Sequence, residues 1–213
     1  MTLRRRDLPF DENTPLDETS QRTVRRRDRL RRVLERRQPD LHLLLENVHD
    51  PHNVSAVLRT CDAVGVGTVH LLYTNEAFPK LGHGASAGIA KWTNVVRHSS
   101  IASAIEHLHS IDARVLTTKL ASDAESIYQS NFTGRLALCF GNEHRGISDE
   151  LAEAADGNLV IPMVGLVESL NISVACAVAL FEVYRQREAE GLYERPRMDS
   201  TEIDEMLTLW LRQ

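Results

Sequence analysis

Apolar positions along the chain follow two periods. Val24, Leu30, Val33 and Leu34 recur at roughly helical spacing among arginines, which predicts a basic amphipathic helix over residues 19–37, ended by Pro39. Leu41-His42-Leu43-Leu44-Leu45 is a short apolar run of buried-strand type. Val54, Val57, Leu58, Cys61 and Val64 then return to helical spacing, Gly65 and Gly67 stop that helix, and Thr68–Tyr73 is a second strand. The result is a β-α-β unit.

The alternation continues toward the C-terminus. Ile101–Ile111 reads as a helix, Arg114–Thr118 as a strand, and Leu136–Phe140 as a further strand ending at Gly141. A helix starts in Leu151–Ala155, and Asn158–Ile161 is a last short strand before Pro162. Asn171–Arg187 is a strongly apolar helix. Strands alternating with helices predict an α/β fold with a mostly parallel sheet covered on both faces, and ligands in such folds bind beyond the carboxyl ends of the strands. Glu46–Asn53, Gly141–Gly146 and Met163–Asn171 leave strand ends directly into polar or Gly-rich loops. Residues 1–20 carry Pro9, Asn13, Pro15 and several acids with little periodicity, and read as irregular.

Composition changes this picture in one respect. The 213 residues carry a net charge of −5, yet about half of all Lys and Arg lie in the first 39 residues. Arg22, Arg25, Arg26, Arg27, Arg29, Arg31, Arg32, Arg36 and Arg37 have only Asp28 and Glu35 nearby to balance them, which points to a polyanionic partner. No apolar run approaches the roughly 20 residues that span a bilayer, and no apolar segment follows the basic start Met1–Arg6, so neither a membrane span nor a secretory signal is expected. Cys61, Cys139 and Cys176 are far apart and odd in number, as buried free thiols of a reducing cytoplasm are.

Three segments carry candidate chemistry. In Glu46–Asn53, Asn53 reads as an N-cap whose helix end offers amides to phosphate, with Arg59 six residues further on. His42, His49 and His52 lack the spacing of a metal site, and no metal is expected. In Phe140-Gly141-Asn142-Glu143-His144-Arg145-Gly146 two glycines bracket a turn and permit close backbone approach, and Glu143 is a ligand contact or an acceptor for nearby N–H groups. Gly82, Gly84 and Gly88 lack the Lys-Ser/Thr pair of a phosphate loop and are assigned to a substrate-side loop. Ile161–Ser173 mixes apolar and polar residues as a partly apolar, adenine-sized ligand requires.

Taken together, the Asn53-to-Arg59 helix start, the Gly141-Asn142-Glu143 turn closed by Gly146, and the Ile161-Pro162-Met163 to Ser169-Leu170-Asn171 loop resemble the three signature motifs of the SPOUT methyltransferases. They are most similar to the TrmH family of tRNA ribose methyltransferases, and the Arg-rich helix and the tail Leu192–Arg197 resemble the termini of that family. The resemblance covers residues 20–213.

It implies a C-terminal trefoil knot, a homodimer, and S-adenosylmethionine bound by Thr118, Gly141, Ile161, Met163 and Leu170. Arg59 falls on the catalytic arginine, supported by Asn53, Glu143, Ser169 and Asn171. With a pKa above about 12 it is an awkward base, so it either shares a proton through its neighbours or stays charged against the developing alkoxide. The RNA-contact set is Arg25, Arg26, Arg29, His52, Arg185 and Arg187.

The implied division is a basic extension at 1–39, a methyltransferase domain at 40–190 and a helical extension at 191–213. The implied reaction is 2′-O-methylation of the D-loop guanosine, conventional position 18, in tRNA of the cytoplasm. Another tRNA position, ribosomal RNA, or a non-catalytic RNA-binding protein are the rivals. A dinucleotide enzyme fails because the first strand-to-helix turn is not Gly-x-Gly-x-x-Gly.

Overall fold

The computed structural model describes residues 18–78, 92–122 and 124–212, with side chains of the first helix described from Val24 onward. Seven parallel strands, β1 (Gln38–Glu46), β2 (Val66–Leu72), β3 (Asn94–His98), β4 (Arg114–Thr117), β5 (Glu125–Ser126), β6 (Leu136–Phe140) and β7 (Gly157–Val160), form one sheet in the order β3-β2-β1-β6-β4-β7-β5. The helices are α1 (Glu18–Glu35), α2 (Pro51–Val64), α3 (Ile101–Ser110), α4 (Asp149–Ala154), α5 (Ile172–Ala189) and α6 (Ser200–Leu211).

β6 is apolar throughout and β1 is apolar across Leu41–Leu45 apart from His42, because both faces of these strands are buried. Leu41, Leu43 and Leu45 of β1, with Leu136, Leu138 and Phe140 of β6, pack under α2 and α5. Leu44, Ala137 and Cys139 turn to the other face and pack under α3 and α4. Cys61, Cys139 and Cys176 are free, and burial raises all three thiols, so they serve as core side chains.

Two sequence expectations need correction. Pro39 does not end α1, which stops at Glu35; it lies inside β1, where the pairing with β2 shifts register between Gln38 and His42. The irregular reading of residues 1–20 and the loop holding Gly82, Gly84 and Gly88 lie outside the described residues, apart from the first turn of α1. Two strands carried no usable periodic signal. β3 exposes much of its five residues, and β5 is two residues long.

A third apolar cluster joins the two ends of the chain. Leu34 of α1 packs with Met198 and with Ile203, Leu207 and Trp210 of α6, and Trp92 meets Trp210 edge-on. Arg37, counted with the basic cluster in the sequence, is buried here. It donates to the carbonyls of Val66 and Trp92 and pairs with Asp62 at 2.5 Å.

The α3 face of the sheet carries an imidazole ladder. His42 Nδ1 lies 3.1 Å from His70 Nε2, His70 Nδ1 lies 3.0 Å from His98 Nε2, and His98 Nδ1 ends 3.4 Å from Ser103 Oγ. Each link needs one N–H and one lone pair, so neutral rings of a single tautomer satisfy the whole chain and a second proton on His70 breaks a link. Burial is the main cause that lowers His42 to about 4, with Asp40 opposing and His107, Arg187 and Arg135 adding. Burial, then His42, His98 and His107, lowers His70 to about 3. An unfolded imidazole titrates near 6.5. The neutral ladder therefore contributes fully above that pH, and the contribution is lost as pH falls toward 4 for His42 and 3 for His70. Lowering the pH from 7 to 4.5 should cost roughly 2 kcal/mol for each of these two groups. Urea unfolding at both pH values should show a smaller fall for His70→Gln than for the natural chain; equal falls would remove His70 from the cause.

Candidate active site

The sheet reverses its winding between β1 and β6, so the loops that leave these strands diverge and open a crevice at their carboxyl ends. Side-chain amides fix the crevice walls. Asn47 sits at a positive φ of 49°, a conformation that Asn tolerates better than most residues. Its Oδ1 accepts from the amides of Thr74 at 2.9 Å and Asn75 at 3.2 Å. Asn142 Nδ2 donates to the Asn47 carbonyl at 2.7 Å, and Asn142 Oδ1 accepts from the amides of His144 and Arg145. Glu46, at the end of β1, accepts from the Ser148 amide that precedes α4.

Glu143 ties the two diverging loops together. Its carboxylate accepts from His49 N–H at 3.0 Å, Asp50 N–H at 3.2 Å and Asn53 Nδ2 at 2.8 Å. Partial burial pushes this carboxyl up, but the Asn53 amide and the backbone N–H groups outweigh it and hold the group below the usual glutamate range. Asn171 Nδ2 donates to Asn53 Oδ1 at 3.3 Å, and Asn171 Oδ1 caps α5 by accepting from Ser173 N–H and Oγ–H. One polar relay, Glu143–Asn53–Asn171–Ser173, thus crosses all three loops singled out in the sequence.

Asn53 is not the helix cap that its sequence position suggested. Pro51 occupies the first helical turn, where its missing N–H costs nothing, and Asp50 caps α2 by accepting from His52 N–H at 2.8 Å. The amides offered to phosphate in the sequence reading are taken by Asp50 and Glu143, and Asn53 is released to bridge.

Beside the relay lies a cleft of about 360 Å³, within the range that small-molecule sites occupy. Thr118, Gly141, Ile161, Met163 and Leu170 all line it, as do Glu143 and Ser169. Gly141 is needed for a reason other than ligand approach: a Cβ there would stand 2.1 Å from the Gly146 carbonyl, so the loop packs on itself. The loop between Met163 and Ser169 turns its other apolar side chains outward, leaving Val164 and Leu166 fully exposed. At the rim, Arg145 pairs with Glu76 at 2.7 Å and Glu76 also reaches His49 Nδ1, a network that sequence reading missed because Glu76 belongs to no motif.

Residues 40–181 match the profile of the SpoU rRNA Methylase family. The chain is 46% identical over 193 residues to a tRNA (guanosine(18)-2′-O)-methyltransferase of Thermus thermophilus, covering 91% of this chain and 99% of that one. The chain belongs to the SpoU methylase family. Its fold superposes on the A. aeolicus TrmH/SpoU tRNA modifying enzyme with a TM-score of 0.84 at 36% identity, over 89% of this chain and 96% of that one. An AdoMet-bound rRNA methyltransferase from Sinorhizobium meliloti is similar at a TM-score of 0.63 and 25% identity, over 73% of this chain and 59% of that one.

Outside the cleft, this SpoU methylase places its expected residues unevenly. Arg59 is exposed on α2 and does not line the cleft of a single chain. Arg25, Arg26 and Arg29 are exposed on α1, and His52 is exposed beside Asp50. Arg185 is exposed and paired with Glu182 at 2.7 Å.

Arg187 requires a correction. It is fully buried and donates to the carbonyls of Phe132 and Gly134, to Gln38 and to Asp40, so it is a structural pin out of reach of RNA phosphates. Position at a helix end gave no sign of this, because burial there is set by Asp40 and the Phe132–Gly134 turn. Among the described residues no group of three or more His, Cys, Asp or Glu is placed to hold a metal ion, and no helix is long and apolar enough to cross a membrane.

Two outcomes test this geometry. Glu143→Gln replaces one acceptor oxygen by an NH2, and amide hydrogen exchange at His49 and Asp50 should accelerate by about tenfold or more. Unchanged exchange would show the loop holding itself. Arg187→Ala leaves Asp40 with Arg197 alone, takes the donor from Gln38 and from the Phe132 and Gly134 carbonyls, and should destabilise the fold by roughly 3–5 kcal/mol in urea unfolding, whereas Arg185→Ala, at an exposed pair, should cost less than about 1 kcal/mol.

Proposed function

We propose that this chain methylates the ribose 2′-hydroxyl of guanosine 18 in the D-loop of tRNA, using S-adenosylmethionine, and does so in the cytoplasm as a homodimer. The observation that carries this reading is the meeting of the Glu143–Asn53–Asn171 relay with the cleft lined by Thr118, Gly141, Ile161, Met163 and Leu170. Identity to the Thermus enzyme along nearly its whole length supports the tRNA guanosine as substrate.

The cleft suits the cofactor in size and chemistry. Leu159, Ile161, Met163, Leu170 and Ile172 supply apolar contact for a purine and a thioether chain. β4, β6 and β7 end at its edge, so the peptides that follow are not consumed by the strand ladder and can bond a purine's nitrogens. When bound, S-adenosylmethionine supplies a methyl group already activated by its sulfonium, chemistry that calls for no metal. What remains for the protein is to orient the hydroxyl and manage its proton.

Glu143, Asn53 and Asn171 hold the loops that frame the reacting centre, and Ser169 lines it. Arg59 acts on the hydroxyl either by sharing its proton or by staying charged against the developing oxyanion. Its position outside the lining of one cleft is consistent with a site completed by the second copy. Val164, Leu166 and Val167, with Val174 and Phe181 on the outer face of α5, leave to water an apolar surface that a second copy would cover. We infer a knotted path for the C-terminal part, whose strands β6 and β7 enter between earlier strands of the sheet.

The division into 1–39, 40–190 and 191–213 fits this reading, with the terminal extensions holding RNA. Arg25, Arg29, Arg32 and Arg36 recur at spacings of four, three and four residues, which sets them along one side of the α1 direction, away from Leu30 and Leu34. Such a row grips phosphates for affinity and orientation and reads no sequence. Arg26, His52 and Arg185 complete the proposed RNA contacts.

Radiolabelled methyl transfer to unmodified tRNA, followed by mapping, should place the label on guanosine 18. Label on ribosomal RNA alone would move the substrate. Arg59→Ala should abolish turnover while S-adenosylmethionine still binds, and a pH–rate profile shifted by Arg59→Lys would mark the proton-sharing role. Each of Arg25→Ala and Arg29→Ala should reduce the slope of log affinity against log salt by about one.

A further inference from the structure

We propose that Asn158 is a positioning residue for the cofactor site, acting by holding one wall of the cleft without lining it. The inference rests on the cofactor assignment made above. That wall is Thr118-Lys119-Leu120, which follows β4 directly.

The pairing of β4 with β7 is short. It matches Leu116 with Gly157 and Thr117 with Asn158, and it goes no further. Past Thr117 the backbone has lost its strand partner, and a segment in that position is free to choose other conformations. The Asn158 side chain takes over where the ladder stops. Its Oδ1 accepts from Lys119 N–H at 2.8 Å, and its Nδ2 donates to the Lys119 carbonyl at 2.8 Å. One carboxamide thereby bonds both the N–H and the C=O of a single residue, a task that in a parallel ladder falls to two successive peptides of the partner strand. Thr117 Oγ–H donates to the same Oδ1 at 3.0 Å and fixes which way the amide is turned.

With Lys119 held toward β7, Thr118 is turned the other way, and its hydroxyl donates to the Cys139 carbonyl of β6 at 2.9 Å. The segment is thus suspended between the two strands whose following loops form the rest of the cleft. Gly157 fits the same construction. A Cβ there would stand 3.0 Å from Leu116 Cδ2, so any larger residue would have to displace the Leu116 side chain at the point where β7 meets β4. Lys119 also pairs through its Nζ with the highly exposed Asp149, a contact that adds little to the hold.

The side chain matters through this pair of bonds, so substitutions should act on cofactor affinity before anything else. Asn158→Leu keeps the volume and removes both bonds. Asn158→Asp keeps the acceptor for Lys119 N–H but sets a carboxylate against the Lys119 carbonyl. Asn158→Ser is small and polar, and serves if the leucine variant does not fold.

Isothermal titration of S-adenosylmethionine into each full-length variant, with steady-state kinetics on tRNA, gives the test. The dissociation constant and the KM for S-adenosylmethionine should rise about tenfold for Asn158→Leu or Asn158→Ser, and less for Asn158→Asp. At saturating cofactor, kcat should stay within about threefold of the natural chain. Arg114→Ala, at the far end of β4, controls for general weakening of the strand and should leave the constant unchanged.

A folded Asn158→Leu or Asn158→Ser variant that binds within twofold of the natural chain would overturn the proposal. So would a fall in kcat with KM unmoved, or an equal loss in Arg114→Ala. Absence of binding by the natural chain would instead overturn the cofactor assignment and, with it, this inference.

Discussion

β6 pairs with β1 along Leu41–Leu45 and Leu136–Phe140, and helices cover both faces of the two strands, so water does not reach the peptide groups between them. Every one of those groups must find its partner across the pair. That requirement places a late segment of the chain beside the first strand and leaves the following loops to part company at the carboxyl ends. The crevice between them is a by-product of sheet order, and Glu143 is the residue that ties its two sides together. Its carboxylate brings the amides of His49 and Asp50 and the side chain of Asn53 to one point, and Asn171 extends the grip to the loop before α5.

Much of this is legible in the sequence. The apolar runs at Leu41–Leu45 and Leu136–Phe140 read as buried strands because residues packed on both faces leave no room for polar alternation. The residues that line the cleft are legible only through the three motifs in combination, since each segment alone is ambiguous. What stays hidden is decided by distant parts of the chain. Arg187 looks like any surface arginine at a helix end, and Asp40, 147 positions away, is what buries it. The ladder of His42, His70 and His98 depends on the register of three strands, which spacing within any one strand does not report. Asn53 misleads as a cap because Asp50 and Pro51, three and two residues before it, satisfy the helix end first.

The loops around the cleft are held by side-chain amides as well as by backbone pairing. Asn47, Asn53, Asn142, Asn158 and Asn171 each hold a loop by offering a donor and an acceptor from one planar group. This suits a place where strands end, because an amide extends a hydrogen-bond pattern for one residue without committing the chain to a strand. Uncharged amides also leave the local field to Glu143, Lys119 and Arg145, so the charge seen by a bound molecule is set by few groups.

At the opposite end of the molecule the termini are mutually dependent. Leu34 lies under Trp210, Arg37 stacks 5.7 Å from the same indole, and Asp40 is shared by Arg187 and Arg197. The first helix therefore has no apolar footing of its own and borrows one from the last. A shortened tail would bare Leu34 to water and release an arginine-bearing helix to swing as a loose polycation, its charge no longer held in one direction relative to the sheet.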